Sequence, residues 1–84
     1  MALPTKPIAL SVEQIDELNR KLATLRHDVN NNLSLIMAAA EILRRRPETA
    51  ERMLNSLSEQ PQKIAMSLAQ FSRELETALG IKRP

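Results

Sequence analysis

The chain has 84 residues with 12 basic and 10 acidic side chains, one histidine and no cysteine. That length sets a ceiling of one domain, the lack of cysteine excludes disulfides and thiolate metal sites, and one histidine cannot build a zinc site. Hydrophobic residues make up 43%, yet Phe71 is the only aromatic, and a net charge of +2 is too small an excess to indicate nucleic acid as a partner.

Ala, Leu, Ile and Met carry the apolar content and there is one glycine, which favours helix over sheet. No stretch approaches the ~20 continuous apolar residues of a membrane span. Residues 1–10 hold Pro4 and Pro7 and no long apolar run, so they do not read as a signal peptide. They are expected to form an extended arm, and the protein is expected in the cytoplasm.

Ser11 is a good N-cap, and Gln14 completes a capping box with it. Leu10 and Ile15 are spaced as a hydrophobic staple across that start. Helix 1 is predicted from about Val12 to about Arg45. Its apolar positions are Ile15, Leu18, Leu22, Leu25, Val29, Leu33, Ile36, Ala40 and Leu43, in steps of 3, 4, 3, 4, 4, 3, 4 and 3. This is a coiled-coil seam with one extra four-residue step at Val29, which locally relaxes the supercoil. Asp16/Arg20, Glu17/Lys21 and Glu41/Arg45 form i,i+4 pairs in the favourable order.

Arg44, Arg45 and Arg46 suit the negative end of helix 1. Pro47 suits a turn or a first helical position, and Glu48 and Glu51 suit the start of a second helix. Helix 2 is predicted from about Glu48 to about Leu79. Its stripe is Ala50, Met53, Leu57, Ile64, Leu68, Phe71, Leu75 and Ala78, with Pro61 in register between Leu57 and Ile64. A proline there removes one hydrogen bond and is expected to kink the rod. Gly80 is a good stop, with Ile81 placed for a Schellman contact. Residues 81–84 form a tail.

These elements predict an all-α antiparallel hairpin over residues 11–80. One long, thin hairpin buries little core alone. The stripe is also wide, since Leu22, Leu33, Met37 and Ala40 cover more than one seam. The expectation is therefore a homodimer, closed as a four-helix bundle.

His27 lies roughly 160° from the stripe of helix 1, on its far, wet side. Asn31 follows one turn later on the same face, and Asp28 flanks it. Small or polar residues surround them, with Ser34 and Ala38 on the side toward the turn. An imidazole beside a carboxylate is a competent nucleophile near neutral pH. The carboxylate can hold the tautomer and help take up the proton. An amide one turn away can orient a water or a phosphoryl oxygen.

The run Arg26-His27-Asp28-Val29-Asn30-Asn31-Asn32-Leu33 resembles the H-box of sensor histidine kinases. Their dimerisation and phosphotransfer domain is a dimeric hairpin that presents its histidine from the first helix. The resemblance covers roughly residues 11–80. It implies that His27 accepts a phosphoryl group, that Asp28 is its base partner, and that Asn31 can position water for dephosphorylation of a receiver. It further implies a response-regulator receiver domain as partner, with Mg²⁺ supplied by that receiver and no cofactor of the hairpin's own. It allows a histidine kinase ATP-binding domain to act in trans. Two departures stand out. Many such boxes carry a proline soon after the histidine, where this chain has Asn31-Asn32-Leu33. No Gly-rich, Asn-bearing nucleotide-binding segment is present, so self-phosphorylation from ATP is not expected.

The bland reading of His27 is a solvated surface residue, and that of the Asn30–Asn32 run is a frayed or interrupted helix. The rival function is a non-catalytic dimeric coiled-coil module that binds kinases or receivers. DNA binding through Arg44–Arg46 is a distant third, and no aromatics interleave those cations.

Overall fold

The computed structural model describes residues 2–81; Met1 of the arm and Lys82, Arg83 and Pro84 of the tail lie outside the described residues. Helix α1 spans Val12–Arg45 and helix α2 spans Ala50–Leu79, with a single 3₁₀ turn, Pro47–Thr49, between them. The molecule is an all-α helical hairpin. It measures 58 × 28 × 12 Å, so it is one helix thick in its thinnest direction.

Local chemistry sets each end. The Ser11 hydroxyl accepts from the Gln14 backbone N–H at 3.0 Å, and the Ser11 N–H donates to Gln14 Oε1 at 2.8 Å, a reciprocal capping box. Ahead of it, residues 4–8 of the arm share a shallow hollow with residues 77–80 at the end of α2. At the other end of α1, the Arg46 N–H reaches the Ile42 carbonyl at 2.8 Å. The Thr49 N–H (2.9 Å) and hydroxyl (2.7 Å) then both donate to the Arg46 carbonyl. That doubly held acceptor makes a tight turn, and Pro47 supplies its fixed φ at the first position. Helix α2 accordingly becomes α-helical at Ala50, two residues beyond the position expected from Glu48. It ends in a Schellman motif: Gly80 has φ 70°, the Ile81 N–H meets the Glu76 carbonyl at 2.9 Å, and the Gly80 N–H meets Thr77 at 3.4 Å. A left-handed backbone of this kind suits glycine because it has no Cβ to clash.

The packing uses only part of the apolar stripe. On α1 the half-buried and buried positions are centred on Leu18, Leu25, Asn32, Ile36, Ala39 and Leu43. This α2-facing line is rotated by roughly 60° from the Leu22–Val29–Leu33 centre of the sequence stripe. On α2 the covered line includes Met53, Leu57, Gln60, Ile64, Ser67 and Phe71. The register expected around Pro61 is thus corrected. Gln60 takes the inward position at 4% exposure and Pro61 faces solvent, while Ser67 rather than Leu68 turns inward. Helix α2 continues through Pro61.

The remaining stripe stands in water. Ile15, Leu22, Leu33 and Met37 of α1 are exposed, as are Leu54 and Leu68 of α2. Each of these strips is displaced by roughly 100° from its own inter-helix line. Because the helices are antiparallel, the two displacements bring both strips to the same broad side. Ala39, at 4% exposure, is the only buried apolar residue described. The accessible surface is 6694 Å². A compact protein of 9.5 kDa would expose only about 5,000 Å².

Candidate functional site

His27 is carried in the middle of α1, about four turns from its start and five from its end, and α1 is unbroken through Asn30, Asn31 and Asn32. The bland reading of the Asn run, an interrupted helix, does not hold. One reason is visible: Asn32 is not a solvated polar residue but a buried one facing α2. Tertiary packing there outweighs the few tenths of a kcal/mol of weak helix propensity.

The structure spreads the three candidate residues across one broad side of α1. His27 and Asn31 are exposed and Asp28 is half-buried. Going round the helix from the line that faces α2, Asp28 lies roughly 40° away, Asn31 roughly 100° and His27 roughly 140°. All three lie on the side opposite the exposed apolar strip. Among the described residues none of them makes a side-chain hydrogen bond or ion pair with the protein. The imidazole and the carboxylate are therefore neighbours on one face rather than a locked pair.

Asp28 forms the lip of a shallow groove between the helices. Lys21, Thr24, Ser67, Gln70 and Glu74 line the same groove, and Phe71 lies beneath it. Lys21 joins the two helices here. Its Nζ is 3.8 Å from Glu17 of its own helix and 3.9 Å from Glu74 of α2. Arg20, the residue before Lys21 and exposed, pairs with Asp16 at 3.0 Å. Both of these cations thus have a carboxylate within reach.

On the other side of Asn31, toward the turn, the same face becomes apolar. Leu35 and Ile42 are exposed there, with Ala38 between them. Their i, i+3, i+7 spacing is present in the sequence but was hidden inside the run Leu33–Ala40, where nearly every residue is apolar. At the turn itself, Glu41 takes Arg44 (Nη2 at 2.8 Å) and Arg45 (Nε at 2.8 Å) together. These two guanidiniums, Arg44 first, hold the Glu41 carboxyl below its ordinary value.

Among the described residues no group of three His, Cys, Asp or Glu side chains could hold a metal ion. No described helix is long and apolar enough to cross a membrane. Comparison with known proteins identifies no relative: no family model, curated protein or solved structure matches this chain.

Proposed function

We propose that this hairpin is a phosphorelay module in which His27 accepts a phosphoryl group and exchanges it with an aspartate of a receiver domain. The observation that supports it best is the set His27, Asp28 and Asn31, together on the solvated broad side of a long helical hairpin. In transfer to the receiver, the P–N bond at His27 breaks and its electron pair returns to the imidazole nitrogen. An aspartate oxygen forms the new P–O bond. Asp28 holds the proton on the other ring nitrogen and stabilises the positive charge that the ring takes on when His27 accepts the phosphoryl group and gives up when it passes the group on. Asn31 orients the attacking or leaving oxygen. The receiver brings the Mg²⁺ that neutralises the phosphoryl oxygens, and an ATP-binding domain acting in trans is one source of the phosphoryl group. The Leu35–Ala38–Ile42 patch offers a partner an apolar foothold one turn from the site.

The reading includes a homodimer closed over Ile15, Leu22, Leu33, Leu54 and Leu68. It is supported by the surplus of accessible surface, about 1,600 Å² above a compact protein of this mass. That is about twice the ~800 Å² each partner buries in a standard interface, and two chains together would cover about 3,200 Å², within the range of obligate homodimers. The module works in the cytoplasm, where receivers are found.

The test is chemical phosphorylation with phosphoramidate, intact mass, then a panel of receiver domains with Mg²⁺. One acid-labile phosphate that passes to a receiver, and is absent in His27→Ala, supports the proposal. Transfer unchanged in His27→Ala defeats it. The exposed apolar strip also favours a second reading, a dimeric interaction module without chemistry. That module would bind its partner equally well as His27→Gln and carry no phosphate.

A further inference from the structure

Three irregularities of the hairpin fall within about one helical turn of one another. Asn32 and Gln60, 8% and 4% exposed, are the only buried polar residues described, and with Lys21 facing Glu74 across the antiparallel seam they lie about 4.5 Å apart in height. The Gln60 Oε1 has no hydrogen-bond partner. Such a group costs stability because it has given up water without replacing it. Pro61, the next residue, has no N–H to give the Leu57 carbonyl, so α2 lacks one rung of its ladder at this height. On α1 the inward positions Lys21, Leu25, Asp28, Asn32, Ile36 and Ala39 advance by 4, 3, 4, 4 and 3 residues. The doubled four-step is centred on Asn32, where it locally unwinds the seam. Half-buried apolar side chains line the seam on both sides of this stretch, Leu25 and Ile64 toward the open end and Ile36 and Met53 toward the turn.

We propose that the Asn32–Gln60 layer is a hinge: the seam opens there first, and the half ending in the turn swings against the half that carries His27. Each of the three features weakens the same short stretch, and none recurs elsewhere in the seam. Asn32 directly follows Asn31, so a bend at this layer changes the angle between the His27–Asp28 pair and the Leu35–Ile42 patch. A partner that touches both selects one bend. The inference rests on the packing of the seam and is independent of whether His27 carries phosphate.

Native-state hydrogen exchange on the full chain tests it. The amides of residues 56–60, 62–64 and 32–36 should exchange about tenfold faster than those of residues 18–25 and 67–75, through a local opening. Replacing the layer by Asn32→Leu with Gln60→Leu should slow those central amides about tenfold, the order expected when one buried unsatisfied group is relieved. The open-end amides should change far less. Pro61→Ala, which restores the missing rung, should act in the same direction and serves if the double variant self-associates. Uniform exchange along the wild-type helices overturns the hinge. So does a variant that slows every amide equally, because the layer would then be a general loss of stability and not a point of bending.

Discussion

On one broad side of the hairpin Leu22, Leu33, Leu54 and Leu68 stand in water; on the other stand Thr24, His27, Asn31 and Gln70. The first side is what remains of an apolar stripe after α2 has covered its edge. The second carries the groove and the candidate site. A stripe read on a helical wheel gives the summed direction of apolar demand on a helix. In this molecule that direction points between the covered line and the exposed strip. One neighbouring helix meets half of the demand, and something else is needed for the rest. The polar side needs nothing further to be stable, so the cost of keeping a histidine there is small.

The largest expected effect comes from breaking the apolar side. Leu22→Glu with Leu33→Glu should turn a dimer into monomers, weakening association by at least about 1,000-fold. Two leucine side chains lose about 1.5–3 kcal/mol each of burial, and two carboxylates would have to be desolvated. Sedimentation velocity reads this directly. Asn31→Ala, on the other side, should leave the sedimentation profile as it is. A wild-type chain that sediments as a stable monomer, or a double variant that stays dimeric, would remove the dimer.

Next in size is the effect on chemistry. Asp28→Asn should slow phosphotransfer about 100-fold, the lower range for loss of a positioned acid–base group, while assembly and helix content stay unchanged. Asp28 sits at the groove lip, half-buried, so the isosteric amide keeps its packing. Rates within twofold of wild type would reduce Asp28 to a spectator and leave His27 an isolated surface imidazole.

Much of the hairpin was legible in the residues. The Ser11–Gln14 pair and the Gly80–Ile81 stop act through bonds between residues at most a few positions apart, so the sequence displays them. Pro47 announced the turn for the same reason, because its ring fixes a backbone angle wherever it stands. The outward placement of His27 followed from helical period alone. What the sequence did not reveal depends on the partner helix. Gln60 rather than Pro61 turns inward because α2 keeps strict alternating steps of three and four from Met53 to Phe71, a choice of phase that only the facing residues of α1 decide. The burial of Asn32 was masked by its two exposed neighbours of the same type. Leu35 was hidden among the apolar residues around it, and with it the link from Leu35 to Ile42.

The smallest effect lies at the turn, where both broad sides end. Glu41 is ionised more readily in the fold than in the unfolded chain, because Arg44 and Arg45 both donate to it. A carboxyl lowered on folding contributes stability above its ordinary value of 4.5, and the contribution disappears as the pH falls through the lowered value. Glu41→Gln should therefore lower Tm slightly at about pH 7 and not at all near pH 2, where wild type and variant are both neutral at this position. The difference at neutral pH should shrink in about 1 M salt, since the cluster is exposed and screened. A gap between the two proteins that persists at low pH would mean that the side chain acts through packing. The same pairing bears on the cations themselves. With Arg44 and Arg45 both engaged by one carboxylate, the Arg44–Arg46 run is not a threefold positive patch. It works as the basic end of a helix, with one of its three charges neutralised by Glu41 and the rest facing the negative end of the helix dipole.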